Sequence, residues 1–194
     1  MIYVKYLIVT VFLITATLVV FRFIVKRRYK KEGKLNSIVT FAQLLIFFLH
    51  ALSSYIFIET KGHHLIKDNL IDIIGITLMI IGGGFILLGM INLGIRKSFG
   101  MKAQGLKQTG FYKFSRNPQI IFYILFLTGY ALIYPSWAGL TWVGILFVMC
   151  HIMVITEEEH LLRTFENEYK EYCYKTPRYL RIKISKKLLK SWNQ

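Results

Sequence analysis

The chain has 194 residues, of which 55% are hydrophobic and only 18% are charged, and its formal net charge is +15. Soluble domains contain about 25% charged residues, so this composition excludes an ordinary soluble protein and indicates a membrane protein. The basic residues lie within reach of the ends of apolar segments, which favours anionic lipid headgroups over nucleic acid as the partner of this charge.

Five apolar segments predict membrane-spanning helices. They cover 2–25, 38–58, 70–91, 120–134 and 136–155. Pro135 separates the last two, which therefore form a predicted helical hairpin. Gly75, Gly82 and Gly89 lie seven residues apart in the third segment, a spacing typical of one small-residue face for helix packing.

The distribution of Lys and Arg predicts the orientation of these helices. The basic residues are concentrated in 26–37, in 92–118 and after 156. Placing these three segments in the cytoplasm satisfies the positive-inside rule for every loop. We therefore expect an all-α integral membrane protein with five transmembrane helices, its N-terminus outside and its C-terminus in the cytoplasm. It would lie in the cell membrane of a prokaryote or the endoplasmic reticulum of a eukaryote.

Two regions differ in character along the chain. Residues 1–91 form a three-span N-terminal region with short connections. Residues 92–194 comprise a cytoplasmic loop at 92–118, the hairpin at 120–155, and an amphipathic cytoplasmic helix with a basic tail at 157–194. The loop is rich in glycine, basic and aromatic residues, a composition that favours a functional loop over a disordered linker.

Six of the ten carboxylates lie between Glu157 and Glu171, and the first three directly follow the last apolar segment. This acidic triplet, Glu157–Glu159, is either a capped helix exit or one wall of a polar site. The hairpin returns the chain to its starting surface, so Glu157 and Glu158 should lie beside Asn117-Pro118. The i,i+4 spacing predicts that Glu159 pairs with Arg163.

Residues 100–177 carry an ordered set of short motifs. These are Gln104-Gly105-Leu106, Gly110-x-Tyr112, Arg116-Asn117-Pro118 and, after the hairpin, Glu157-Glu158 followed by Leu161, Phe165, Glu168, Tyr169 and Tyr172. In this order the motifs resemble the isoprenylcysteine carboxyl methyltransferase family, in a compact prokaryotic-type form. The resemblance implies an integral membrane enzyme that uses S-adenosylmethionine to methylate the carboxylate of a prenylated cysteine. The expected substrate is lipidic or prenylated and enters from the bilayer.

The resemblance also implies the site residues. The catalytic set is Arg116, Asn117, Glu157 and Glu158. The cofactor-binding set is Gln104, Gly105, Leu106, Lys107, Tyr112, Asn117, Pro118, Gln119, Ile120 and Glu157. Arg116 can pair with the cofactor carboxylate, with Glu157 or with a lipid phosphate.

The chain departs from the family pattern at four positions. The family's histidine, tyrosine and glycine correspond to Asn117, Ile120 and Phe122, and a glycine usual after Phe165 is Glu166. Asn117 can donate and accept hydrogen bonds but cannot carry charge.

Three other functions stay open: phospholipid N-methylation, NADPH-dependent reduction as in a related branch, and transport as a small non-enzymatic subunit. A transport path needs ionisable residues at mid-depth in the membrane, where the chain has only His50 and His151. We expect no metal, because His63-His64 in the outer loop lack further ligands nearby.

Overall fold

The computed structural model describes residues 2–54, 69–94, 98–101 and 105–180, and the secondary structure in these ranges is entirely helical. The N-terminal helix is built from α1 (Ile2–Leu18), a π-helical stretch (Val19–Val25) and α2 (Lys26–Glu32). It is followed by α3 (Ser37–Ser54), α4 (Asn69–Leu93), a 3₁₀ turn (Gly110–Lys113), α5 (Pro118–Ile133) and α6 (Trp137–Lys175).

Four of the described helices are long and apolar enough to cross a membrane, and α5 is a shorter apolar helix of 16 residues. At 1.5 Å per residue α5 measures about 24 Å, somewhat less than the ~30 Å hydrocarbon core. The all-helical prediction is therefore confirmed, with four to five helices that can span a membrane. The exact number of spans and their orientation stay predictions, and the outer loop with His63-His64 lies outside the described residues.

The N-terminal helix is longer than its apolar segment. The sequence predicted a loop at 26–37, but the helix continues to Glu32, where an ion pair of 2.7 Å with Arg28 supports the last turn. Gly33 ends the helix because it adopts a left-handed φ of 66°, which glycine tolerates best. The additional turns carry Tyr29 beyond the apolar segment.

The glycine face of α4 packs against α5, which confirms the helix-packing interpretation of this spacing. Gly75, Gly82 and Gly89 are the buried residues of α4. A Cβ added at Gly82 would lie 2.7 Å from the backbone nitrogen of Phe126 and 2.8 Å from the carbonyl oxygen of Phe122. The two backbones therefore approach as closely as the absence of side chains allows.

Gly82→Ala is expected to lower the free energy of unfolding by about 1–3 kcal/mol, because the added methyl group overlaps a rigid backbone and forces the helices apart. Gly84→Ala is the matched control, since nothing lies within 4 Å of a Cβ at that position. Thermal unfolding in detergent, followed by circular dichroism, measures both. Equal midpoints for the two variants would contradict this packing.

Polar contacts cap the start of α6 and join it to α3. Ser136 caps its N-terminus by accepting a hydrogen bond of 3.0 Å from the N–H of Gly139. The His50 ring stacks on Trp142 with centroids 4.5 Å apart, and the Trp142 indole N–H donates to the carbonyl oxygen of His50 at 3.0 Å. His50 thus joins α3 to α6 as a packing residue, which argues against an ion path at this position.

The helix that follows the hairpin turn does not stop at the membrane surface. Its apolar part ends at Ile155, but α6 runs through the acidic triplet to Lys175, a total of 39 residues. The part of α6 before Glu166, where the backbone leaves helical geometry, measures about 43 Å, well above the ~30 Å hydrocarbon thickness. The prediction of a separate amphipathic helix after residue 157 is therefore wrong in its boundary, and everything after Ile155 lies beyond the apolar span.

One strained residue interrupts α6. Glu166 has φ 38° and ψ −106°, the single non-helical backbone conformation inside this helix. A side chain at such a positive φ costs about 1–3 kcal/mol. This is the position at which the resemblance expects glycine.

Glu166→Gly is therefore expected to raise the free energy of unfolding by about 1 kcal/mol, because glycine adopts this conformation without strain. Asn167→Gly, one residue further along in helical backbone, should instead lower it by about 0.5–1 kcal/mol. Unfolding midpoints in detergent compare the two. A loss of stability in Glu166→Gly would contradict the prediction that the backbone conformation of Glu166 destabilises the fold.

Candidate functional site

A cavity of about 200 Å³ lies where the loop before α5 meets α2 and the part of α6 beyond Ile155. Its lining includes most of the predicted site residues: Gly105, Leu106, Lys107, Tyr112, Arg116, Asn117, Gln119, Ile120, Glu157 and Glu158. Pro118 is buried at the first position of α5, where proline is well tolerated. Gln104 lies outside the described residues. The fold thus brings two segments that are forty positions apart to one cavity.

The acidic triplet points in three directions. Successive residues of a helix are rotated by about 100°, so three adjacent carboxylates cannot face the same neighbour. Glu157 lines the cavity, Glu158 contacts the start of α5 and the chain after α6, and Glu159 contacts the N-terminal helix. Each carboxylate therefore has a different environment and a different chemical use.

Glu159 joins α6 to the N-terminal helix. Its carboxylate oxygens lie 2.7 Å from Nη1 of Arg22 and 2.7 Å from Nζ of Lys26. The predicted ion pair with Arg163 is wrong, because the Arg163 side chain donates to the backbone carbonyl of Glu159 at 3.3 Å instead. The ion-pair partners of Glu159 are thus Arg22 and Lys26 of the N-terminal helix, which are distant from it in the sequence.

Glu158 is buried, with 8% of its surface exposed, and it is the centre of a hydrogen-bonded cluster. The Nη2 of Arg178 lies 2.8 Å from its Oε2, and the Nη2 of Arg116 lies 3.5 Å from its Oε1. The side-chain amide of Asn117 donates to Oε1 at 3.3 Å. Of the two glutamates expected beside Asn117-Pro118, Glu158 thus makes the hydrogen bond with Asn117, and Glu157 lines the same cavity without such a bond.

Arg116 is occupied by protein groups. Besides Glu158 it contacts the Cys173 thiol through Nη1, and its guanidinium carbon lies 5.9 Å from the centroid of the Tyr169 ring. Its backbone N–H donates to the carbonyl oxygen of Pro177 at 2.9 Å. Of its predicted partners, Glu157 is therefore not used, and the guanidinium serves first to join α5 to α6.

Glu157 differs from its two neighbours because its side chain forms no hydrogen bond or ion pair with a described residue. It lines the cavity. Burial, and secondly the neighbouring charge of Glu158, raise its pKa from 4.5 to about 7. An unpaired carboxyl group in a cavity is the kind of group that a ligand cation stabilises.

The loop opposite Glu157 contributes a cation and an aromatic ring. Lys107 lines the cavity and has no carboxylate partner among the described residues. The loop is held to α6 at two points: the Gln108 side chain donates to Glu168 at 3.1 Å, and the Tyr172 hydroxyl donates to the carbonyl oxygen of Tyr112 at 2.6 Å. Burial, and secondly Glu157, raise the pKa of the Tyr112 phenol. The cavity therefore presents, beside a neutral phenol, a carboxyl group and an ammonium group that have no ion-pair partner in the part of the chain that the structure describes.

The N-terminal helix supplies a wall of the cavity that the sequence motifs did not predict. Tyr29 stacks on His160 with ring centroids 4.0 Å apart and an interplanar angle of 4°, and both residues line the cavity. Gly100 packs against this wall, and its carbonyl oxygen accepts a hydrogen bond of 2.9 Å from the N–H of Leu35. The sequence feature that could have indicated this wall is Tyr29, an aromatic residue inside a basic segment that Gly33 follows four positions later.

Residues 70–168, about half of the chain, match the family model described as phospholipid methyltransferase. The matched range contains α4, the loop, α5 and the acidic triplet, and therefore most of the cavity lining. Comparison with curated proteins gave no match, and neither did comparison with solved structures. With its apolar helices the chain is a membrane protein. It belongs to the phospholipid methyltransferase family, a methyltransferase family in the same superfamily as the isoprenylcysteine carboxyl methyltransferases.

Proposed function

We propose that this protein transfers a methyl group from S-adenosylmethionine to a lipidic acceptor at the membrane surface. The observation that carries the proposal is that one cavity holds the carboxyl group of Glu157 and the ammonium group of Lys107, neither of which forms an ion pair with a described residue. The cavity adjoins the ends of apolar helices, so a cofactor from water and an acceptor from the bilayer can both reach it.

The cavity fits the polar end of this cofactor. S-adenosylmethionine has an amino-acid group with both charges, and when bound it supplies an electrophilic methyl group on a sulfonium. Glu157 is placed to accept hydrogen bonds from the ammonium, and Lys107 to meet the carboxylate. Arg116 is a poorer candidate for the carboxylate because Glu158 already holds it. Tyr112, and the stacked pair Tyr29 and His160, offer aromatic surface for the purine.

Two classes of acceptor suit the site. A prenylcysteine-like carboxylate is already a nucleophile and needs only alignment, which can supply about 7–11 kcal/mol of a barrier. This is the acceptor implied by the motifs of residues 100–177. A phospholipid amine, which the matched family suggests, must lose a proton before it reacts, and Glu157 with a pKa of about 7 suits a general base.

The proposed location is the cytoplasmic surface, with the basic residues of α2 and the loop against anionic headgroups. Lys30 and Lys31 lie in the last turn of α2, next to the cavity wall formed by Tyr29 and Gly33. Anionic lipid would thus lie beside the entrance of the site.

Binding of radiolabelled S-adenosylmethionine to the purified protein in detergent tests the proposal. We expect saturable binding that S-adenosylhomocysteine displaces and NADPH does not. Displacement by NADPH alone would favour a reductase, and no binding of either compound would overturn methyl transfer.

Transfer of the labelled methyl group then identifies the acceptor. Vesicles that contain phosphatidylethanolamine and micelles of a farnesylated cysteine analogue are compared under the same conditions. Label in the lipid amine assigns N-methylation, and label released as methanol by base assigns the carboxyl ester. The Glu157→Ala protein is the background control.

A further inference from the structure

We infer that the C-terminal strap, residues 176–180, is a positioning element of the cofactor site, and that Arg178 acts on this site through Glu158. The inference rests on the proposed function for the identity of the ligand. The strap follows α6 and reaches back to the start of α5. Neither the family match nor the motif pattern covers the whole strap.

The backbone of the strap is bound directly to the segment before α5. The N–H of Arg116 donates to the carbonyl oxygen of Pro177 at 2.9 Å. The carbonyl oxygen of Arg178 accepts from the Ser115 hydroxyl at 3.1 Å and from the Asn117 amide at 3.2 Å. Three consecutive residues at the cavity edge therefore take their position from two residues of the strap.

The side chain of Arg178 completes the same connection. Its Nε and Nη2 lie 2.9 Å and 2.8 Å from Oε2 of Glu158, and Glu158 in turn accepts from Asn117. The guanidinium neutralises a carboxylate that lies next to Glu157 in the chain. Loss of the Arg178 side chain would leave more of the Glu158 charge acting on Glu157, and would remove the ion pair that holds the Glu158 carboxylate beside Asn117.

Tyr179 anchors the far side of the strap. Its hydroxyl lies 2.9 Å from Nδ1 of His151, and its ring packs on Phe147 with centroids 5.8 Å apart. The strap is thus fixed to α6 on one side and to α5 on the other. The strap therefore connects the start of α5 with α6, the two helices that carry the site residues.

The chain contains a built-in reporter for this docking. Of its two cysteines, Cys150 is fully buried in the apolar part of α6, whereas Cys173 is partly exposed and its thiol contacts the Arg116 guanidinium. Alkylation of Cys173 by a maleimide, followed by intact mass, reports whether the segment around Arg116 is held. The readout needs no ligand.

The test compares Arg178→Gln and Arg178→Lys with wild type, and uses Lys175→Gln as the control for removing a cation near the same end of α6. Among the described residues, Lys175 pairs only with the exposed Glu171. For Arg178→Gln we expect a dissociation constant for S-adenosylmethionine at least tenfold higher at pH 7. The pH at which affinity is half-maximal should rise, and Cys173 should be alkylated several-fold faster. Arg178→Lys should restore the pH midpoint, because it keeps the charge, and the control should match wild type.

An unchanged dissociation constant and pH midpoint in Arg178→Gln overturn the inference, even if the alkylation rate changes. A pH midpoint that moves with the charge at position 178 supports it, because simple loss of packing would not respond to Arg178→Lys in this way. If wild type binds no S-adenosylmethionine, the proposed function fails, and alkylation alone decides on the strap. An unchanged rate then overturns its docking, and an increased rate supports it.

Discussion

Glu157→Gln is expected to weaken S-adenosylmethionine binding by about 10- to 100-fold while raising thermal stability above pH 7. A hydrogen bond to a charged group contributes about 1.5–3 kcal/mol, and each 1.4 kcal/mol is a factor of ten in affinity. Burial destabilises the ionised Glu157 side chain, and no described residue forms a hydrogen bond or ion pair that offsets this destabilisation. Glutamine keeps the shape of the side chain and removes that cost, so affinity and stability should change in opposite directions.

Equilibrium binding and unfolding midpoints on the same preparation check this prediction. Glu171→Gln is the matched control, because Glu171 is exposed on the same helix and its one ion pair within the described ranges is with Lys175. Weaker binding with a lower midpoint would indicate damage to the fold rather than loss of a ligand contact. If cofactor binding were unchanged and methyl transfer were lost only for amine acceptors, Glu157 would act as the general base for the acceptor and not as a cofactor-binding residue.

The pH dependence of the wild-type protein follows from the same group. Its pKa is raised from 4.5 to about 7 in the folded state, so the folded protein holds a proton that the unfolded chain releases. This contribution to stability is fully present below pH 4.5 and is lost as the pH rises through 7, by at most about 1.4 kcal/mol per pH unit. Cofactor affinity should rise over the same interval because it needs the ionised carboxyl. In the Glu157→Gln protein, the contribution of this group to the pH dependence of stability and to that of cofactor affinity should both disappear.

The pattern of apolar residues was sufficient to predict the helices and the place where the site is built. Hydropathy identified five segments, the seven-residue spacing of Gly75, Gly82 and Gly89 identified a packing face, and Pro135 identified the hairpin turn. Each of these features is local, so it can be deduced from neighbouring residues. The meeting of the loop with the acidic triplet also followed, because a hairpin must return the chain to the same surface.

The assignment of partners within the triplet did not follow from the sequence. Local spacing favoured Arg163 for Glu159, whereas Arg22 and Lys26, more than 130 positions away, form the actual ion pairs. Which carboxylate faces which helix depends on the rotation of α6, and rotation is set by packing throughout the bundle. The same holds for Arg178, since Pro177 predicts the end of a helix but not where the next residue lies.

Glu158→Ala is expected to destabilise the protein far more than Glu159→Ala, although both residues form two ion pairs. The side chain of Glu158 is 10% exposed and that of Arg116 is 12% exposed. Removal of the carboxylate therefore leaves the buried Arg116 guanidinium without its counterion, and takes from the Asn117 amide one of its two acceptors. Breaking one side of a buried ion pair costs about 3–5 kcal/mol. Because Arg178 is 39% exposed and can regain water, we expect about 3 kcal/mol.

Glu159 and its partners are about one third exposed, so water replaces the lost contacts and the expected cost is about 1 kcal/mol or less. Glu158→Gln separates charge from hydrogen bonding, because the amide oxygen still accepts from Asn117 but no longer neutralises the arginines. Its unfolding midpoint should lie between those of wild type and Glu158→Ala. High salt should reduce the difference between wild type and Glu159→Ala but not the loss in Glu158→Ala, since exposed pairs are screened and buried ones are not. Equal losses in the two alanine variants would mean that Glu158 is solvated and does not organise the start of α5.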